Sequence, residues 1–323
     1  MFFNSSKLLL TNTMMIGVIM VICSNNWFSM WMGMEITLLS FIPMLQNNNL
    51  LSEESMIKYF IIQSAASTLM LLSIFIMLIG VNMMNEMMLM TSMLIKVGSA
   101  PFHNWVLMII ETLNYYEMWT MLTIIKIPPL LVIYQTNITM LTIPIMMGMI
   151  MSSIACLNQT SMRKTIGYSS IYNMSMLIIT INKFNILIIY MTIYSLMTGF
   201  LLNILSKLKI KFFNQMVFNE KPTTMKLNMW INMLSMGGFP PTMGFISKLL
   251  VIQLLLSNKN MVMIAIIIVT SMLVMMFYIR LAFTSMISIT ISMKWTGNMM
   301  NSYYSMIFNL MLPPIIITVT SIL

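Results

Sequence analysis

The sequence is poor in charge. Of its 323 residues only 7% are Asp, Glu, Lys or Arg, the seven acidic residues are all glutamate, and there is a single histidine, His103. A soluble domain carries about 25% charge, so the chain lacks the polar surface that a globular fold, a disordered segment or a nucleic-acid-binding module needs. Its two cysteines, Cys23 and Cys156, stand far apart without a CxxC partner. That excludes a disulfide framework, a zinc site and an iron–sulfur cluster, and each cysteine reads as a small packed residue. One histidine is too few for the axial ligands of a cytochrome b or a haem–copper oxidase core.

Apolar residues are abundant instead: 59% of the chain is hydrophobic and the mean hydropathy is +0.91. A spanning helix needs roughly 20 apolar residues, and runs this continuous are not the alternating pattern of a β-barrel. The fold class expected is therefore all-α, a polytopic membrane protein. The 47 methionines are spread through every apolar segment, which reads as flexible core filler rather than a thioether copper site. The bias fits an AT-rich gene read with a mitochondrial code in which ATA gives Met.

Apolar segments fall at about 8–24, 27–45, 56–80, 88–110, 117–135, 138–157, 166–181, 184–206, 228–254, 260–285 and 303–322, about eleven transmembrane helices. They form one integral membrane domain over 1–323, with a first repeat at about 8–135, a second at about 138–285, and a last helix at about 303–322. Residues 1–10 read as the start of the first helix rather than a removable signal. The longest separator, near 207–227, holds Lys207, Lys209, Lys211, Lys221 and Lys226 and reads as a solvated basic loop beside the bilayer. With Lys7, Lys58, Arg163, Lys164 and Lys294 these make ten cations on the side of the N-terminus, against Lys183 and Lys259 opposite. Ten against two places the N-terminus inside, in the mitochondrial matrix, and the C-terminus toward the intermembrane space.

Glu35, Lys96, Lys126 and Lys248 lie within apolar segments. Each charge at a helix centre costs about 2.5–3.5 kcal/mol, so these side chains must face protein or water; a proton or ion pathway is the functional reading, and structural ion pairs the bland one. Lys96 is followed by Val97-Gly98-Ser99-Ala100-Pro101, and Lys248 is preceded by Gly237-Gly238-Phe239-Pro240-Pro241. Both helices are expected to be interrupted there, tolerable only where the freed backbone lines a cavity or is buried in protein. A pair of interrupted helices, one in each half, is the signature of an inverted-repeat transporter. His103 follows the first break and reads equally well as a proton relay or as a hydrogen-bonded structural residue. Arg280 reads as a snorkelling structural cation, and Glu111 and Glu117 as charges solvated at a helix boundary.

Four stretches then carry a resemblance: Trp31 to Leu45 (WMGMEITLLSFIPML), Leu94 to Trp105 (LIKVGSAPFHNW), Asn158 to Ser170 (NQTSMRKTIGYSS) and Gly237 to Lys248 (GGFPPTMGFISK). Their order and spacing along nearly the whole chain resemble the chain 2 family of mitochondrial NADH–ubiquinone oxidoreductase (respiratory complex I), whose members are antiporter-like. The resemblance implies a proton-translocating subunit in which Glu35 pairs with the broken-helix lysine Lys96, Lys126 connects the halves, and Lys248 belongs to the second broken helix. It implies no cofactor in this chain, with FMN, iron–sulfur clusters and ubiquinone in other subunits. It also implies chain 4L and chain 4 as neighbours, membrane lipids around them, no nucleic acid, and a place in the mitochondrial inner membrane. A stand-alone cation/proton antiporter and a purely structural membrane-arm subunit remain the competing readings. Departures from the family's usual pattern stand at Ile124 and Ile125 (Trp-Gln), Asn173 (His), Ser175 and Met176 (Gly-Trp) and Ser247 (Pro). Without that histidine, a relay at this point would have to run through water with Ser or Tyr.

Overall fold

The computed structural model describes residues 5–47, 50–80, 83–136, 141–218, 223–287, 305–311 and 313–314. Among them every regular element is helical, apart from an isolated bridge between Ser161 and Phe212. The chain divides into two compact units, Met1–Gly148 and Met149–Leu323, and the division falls inside helix α8, Thr142–Leu157.

The first unit holds α1 (Ser5–Cys23), α2 (Trp27–Met44), α3 (Leu50–Ile79), α4 (Met83–Val97), α5 (Asn104–Ile110), α6 (Tyr115–Leu122), a single 3-10 turn at Ile124–Lys126, and α7 (Ile127–Tyr134). The second holds α9 (Met162–Thr180), α10 (Phe184–Leu208), α11 (Asn214–Phe218), α12 (Thr223–Gly237), α13 (Met243–Ser257) and α14 (Met261–Ile287). The ten predicted apolar segments that fall on described residues each coincide with a helix or with consecutive helical pieces; the eleventh lies largely outside them. Among the described residues, five helical stretches are long and apolar enough to cross a membrane: Ser5–Cys23, Leu50–Ile79, Tyr115–Tyr134, Phe184–Leu208 and Met261–Met286.

Apolar surroundings explain the local choices. With no water to bond to, backbone groups must pair within the helix, and buried hydroxyls turn back onto it. Thr37 donates to Met34 O at 2.7 Å, Ser92 to Leu89 O at 2.7 Å and Ser170 to Gly167 O at 2.7 Å. Large apolar side chains such as Leu9, Ile57, Val269 and Met276 point outward, each at least 60% exposed, the surface expected of a protein in lipid. Helices α1 and α2 approach through small residues: a Cβ on Gly17 would lie 2.8 Å from Gly33 O, and one on Gly33 only 2.6 Å from Val21 Cγ2. In the second unit, the helical residues 305–311 dock on α12 through amides. Ser305 donates to Asn228 Oδ1 at 2.6 Å, and Asn309 donates to Asn232 Oδ1 at 2.9 Å.

Both units contain the same kind of helix stop. α4 stops at Gly98 (φ +71°), where Ser99 N–H donates to Leu94 O at 3.2 Å; α12 stops at Gly238 (φ +78°), where Phe239 N–H donates to Leu234 O at 3.1 Å. This left-handed glycine, with a bond running back five residues, is a helix stop that glycine adopts without steric penalty. The prolines that follow prevent immediate resumption, and the helices restart at Asn104 and Met243.

Two expectations need correction at the level of these elements. The basic loop is shorter than 207–227: Lys207 is in the last turn of α10, and Lys226 is in α12 and buried, because α12 begins earlier than its apolar run. Cys156 is buried but Cys23, at the end of α1, is exposed rather than packed. Lys294, counted in the charge balance, lies outside the described residues.

Candidate functional site

In the first unit α2, α3 and α4 bring Glu35 and Lys96 together. Lys96 is 5% exposed, and its Nζ lies 4.0 Å from Glu35 Oε1 and 3.9 Å from Met34 Sδ. Glu35 Oε1 is buried and makes no hydrogen bond. The pair is thus in Coulombic contact without being locked. Beside Lys96 is a cavity of about 10 Å³, lined by Thr37, Tyr59, Gln63, Ile125 and Pro129 among others, which is the room for a single water molecule. Lys126 is 2% exposed and ends the 3-10 turn between α6 and α7. Ile125 of that turn and Pro129 of α7 line the same cavity, so the turn that carries Lys126 borders the pocket beside Lys96.

In the second unit Lys248 is 8% exposed, and its Nζ donates to Gly237 O at 2.6 Å. Gly237 is the last residue of α12, and a carbonyl at a helix end has no partner within its own helix. The break therefore supplies the acceptor that the buried ammonium group needs. Gly238 lets the lysine lie across it: a Cβ there would be 2.8 Å from both Lys248 Cε and Nζ. The other side of Nζ faces the Tyr172 ring, 5.8 Å from its centroid, within cation–π range.

This geometry can be set against known proteins. The family described as NADH:quinone oxidoreductase/Mrp antiporter, TM, matches residues 24–82 and 79–276. NADH-ubiquinone oxidoreductase chain 2 of Locusta migratoria is 36% identical over 307 residues, 91% of this chain and 90% of the relative. The chain belongs to that family. Its counterpart in Anopheles gambiae is 35% identical over 83% of this chain and 82% of its own length. A chain of respiratory complex I from Thermus thermophilus, solved with bound aureothin, has the same fold, with a TM-score of 0.79 at 19% identity over 87% of this chain and 71% of that one.

Not every candidate residue of this family member joins the two clusters. His103 is half-exposed at the start of α5, with Nδ1 3.2 Å from Pro101 O, and is engaged within the connection itself. Arg280 is exposed on α14. Glu117 is not a solvated boundary charge: it is 1% exposed and paired with Lys7 Nζ at 2.7 Å. It also accepts from Asn47 Nδ2 at 3.2 Å and from the Asn114 backbone N–H at 3.1 Å. These contacts tie the start of α1 and the end of α2 to the first turn of α6, where a carboxylate is favoured. Tyr59 and Gln63 line the Lys96 cavity without being among the residues expected from sequence. Gln63, a lone amide inside an apolar run, is the available signal; a tyrosine in such a run gives none.

Proposed function

We propose that the chain is a proton-translocating membrane-arm subunit of respiratory complex I, coupling NADH:ubiquinone electron transfer to proton movement through Glu35, Lys96, Lys126 and Lys248. One observation carries the reading: three lysines, each less than a tenth exposed, stand at three separate interruptions of helical structure. Ammonium groups withdrawn from water at places where backbone polarity is released are suited to holding protons inside a membrane. In this reading the subunit has eleven spans, two of them broken, arranged as inverted repeats at about 8–135 and 138–285 with a last helix after them. It lies in the mitochondrial inner membrane with its N-terminus in the matrix, and it neighbours chains 4L and 4. FMN, the iron–sulfur clusters and ubiquinone belong to other subunits.

The loose Glu35–Lys96 contact suggests how a switch works. Two unit charges 4 Å apart interact by about 4 kcal/mol at an effective dielectric near 20. Moving one proton charge against the membrane potential takes about 2.3 kcal/mol per 100 mV. A change in the Glu35–Lys96 separation therefore alters how firmly Lys96 holds its proton by an amount comparable with the work to be done. His103 sits outside this exchange and acts, in our reading, on the shape of the break. The test is Glu35→Gln and Lys96→Ala in the assembled complex, measuring protons moved per electron pair. Both variants should lower that ratio; assembled variants with the wild-type ratio would overturn the proposal in favour of a structural subunit. Cation exchange by the isolated chain in liposomes would instead favour a stand-alone antiporter.

A further inference from the structure

The second unit holds a group of buried hydroxyls that meets Lys248 through the Tyr172 ring and the adjoining Ser247 and that the scheme above does not use. Tyr172 comes from α9, Tyr190 and Tyr194 from α10, Ser247 from α13 and Tyr278 from α14; all are buried. The Tyr190 hydroxyl donates to Asn173 Oδ1 at 2.9 Å and also approaches the hydroxyl of Ser247, the residue before Lys248. It lies within electrostatic reach of the hydroxyls of Tyr172, whose ring flanks the Lys248 ammonium group, and of Tyr194. The hydroxyls of Tyr172, Tyr194 and Tyr278 approach Thr270, Ser170 and Ser169 without a well-aligned bond. Buried hydroxyls are normally satisfied, so three that are not, one of them on the ring that flanks a buried ammonium group, make an adaptable polar patch in an apolar helix bundle. Packing alone would be served as well by phenylalanine.

We propose that this patch is a proton relay serving Lys248, with Tyr190 as its central hydroxyl and Asn173 as the positioning residue that orients it. The inference rests on Lys248 being a proton site. When Lys248 releases a proton, its N–H bond breaks and the amine is left neutral. The proton forms an O–H bond on a neighbouring oxygen of the patch, a hydroxyl or a water it admits. That oxygen's own O–H bond breaks on the far side, so each hydroxyl ends neutral and one proton has advanced; uptake runs the same steps in reverse. The Asn173 amide oxygen is too weak a base to carry the proton, and its part is to fix the Tyr190 O–H direction. Ser247 contributes the second oxygen at the Tyr190 hydroxyl. Its present bond to Gly244 O at 2.9 Å is a back-bond within the helix that a rotation of its hydroxyl releases.

The experiment uses the assembled complex in mitochondrial membranes, with Tyr190→Phe, Ser247→Ala, Asn173→Leu and Lys248→Ala, and Tyr134→Phe, an exposed tyrosine of the first unit, as control. Assembly, protons per electron pair, and the effect of D2O on coupled turnover are measured. Tyr190→Phe removes one oxygen and preserves the ring, so the complex should assemble at the wild-type level. Coupled turnover should fall about 100-fold, the lower end of what loss of a positioned proton-transfer group costs, with a larger D2O effect. Ser247→Ala and Asn173→Leu should shift the D2O effect in the same direction, and Tyr134→Phe should not. If Lys248→Ala impairs pumping while Tyr190→Phe and Ser247→Ala leave turnover and D2O effect unchanged, the relay is wrong and the function stands. If Lys248→Ala is also without effect, both fall. Should Tyr190→Phe fail to assemble, Ser247→Ala decides on the same criteria.

Discussion

Gly238→Ala tests the seat of Lys248 without touching the lysine. The substitution places a methyl group 2.8 Å from Lys248 Cε and Nζ and 3.0 Å from Cδ, so the flexible tail must move. When it does, the 2.6 Å bond to Gly237 O is lost. A hydrogen bond from a charged group is worth about 1.5–3 kcal/mol, so the population of seated lysine should fall roughly 10- to 150-fold. The backbone adds about 1–2 kcal/mol, because alanine at φ +78° is strained. The sum, about 2.5–5 kcal/mol, divides between function and folding, and two measurements separate them. The fraction assembled on a native gel reports the backbone part, and protons per electron pair in what does assemble reports the seat. The expected result is reduced assembly together with a lowered ratio. Gly98→Ala is the instructive comparison. Its Cβ meets Val106 Cγ2 and, at 3.1 Å, the Trp105 ring, both buried and neither the far end of a flexible chain, so it should lose assembly and leave the ratio of the remainder unchanged. A Gly238→Ala complex that assembles and pumps as wild type would refute the argument that the break exists to seat the ammonium group.

Other perturbations probe the scaffold. Glu117→Gln keeps the shape of the carboxylate but removes its charge from Lys7, Asn47 and the Asn114 N–H. The loss should be about 1–3 kcal/mol, most of it from the buried hydrogen bonds because Lys7 is a third exposed and screened; thermal unfolding of the purified complex reads it. Gly33→Leu should prevent close approach of α1 and α2, overpacking by about 1–3 kcal/mol or more, and appear as reduced assembly on a native gel. Asn232→Leu removes an amide pair to Asn309 and an intrahelical one to Asn228. Inter-helix hydrogen bonds in membranes are worth about 0.6–2 kcal/mol, so a modest loss of thermal stability is expected, with proton stoichiometry unchanged.

The parts of the molecule that are legible in its sequence are those where an energetic penalty marks the residue. An ammonium group in an apolar run is too costly to be accidental, and that cost alone makes Lys96, Lys126 and Lys248 conspicuous in the chain. Gly98 and Gly238, each followed by proline, mark the two stops. Glu117 reads wrongly as a solvated charge because its partner, Lys7, is 110 residues away and pairing at that range leaves no local trace. The 3-10 turn at Lys126 is hidden because nothing else from Ile124 to Tyr134 interrupts the apolar run, and Pro128 and Pro129 sit in the first turn of α7, where proline is accommodated. The tyrosines are invisible for a further reason. In water, a helix advertises its buried face by amphipathic periodicity; in lipid both faces are apolar, and a phenol reads as one more large side chain.

These differences bear on how the two clusters work. In a continuous helix every carbonyl is engaged by an N–H four residues on, and a buried lysine has nothing neutral to donate to. Ending α12 at Gly237 frees a carbonyl, and Lys248 takes it, so this lysine is held by backbone polarity that no movement of a carboxylate disturbs. Lys96 has the same kind of break beside it but rests between Met34 sulfur and a carboxylate 4.0 Å away, so its hold on a proton depends on a side chain that can move. One lysine is held by a backbone carbonyl and flanked by the Tyr172 ring; the other is loosely held and paired with a charge. Under the proposed function, that asymmetry places the variable element at the Glu35 end and the conducting element at the tyrosine end. It follows that changes at Glu35 should alter whether protons move at all, and changes at Tyr190 should alter how fast.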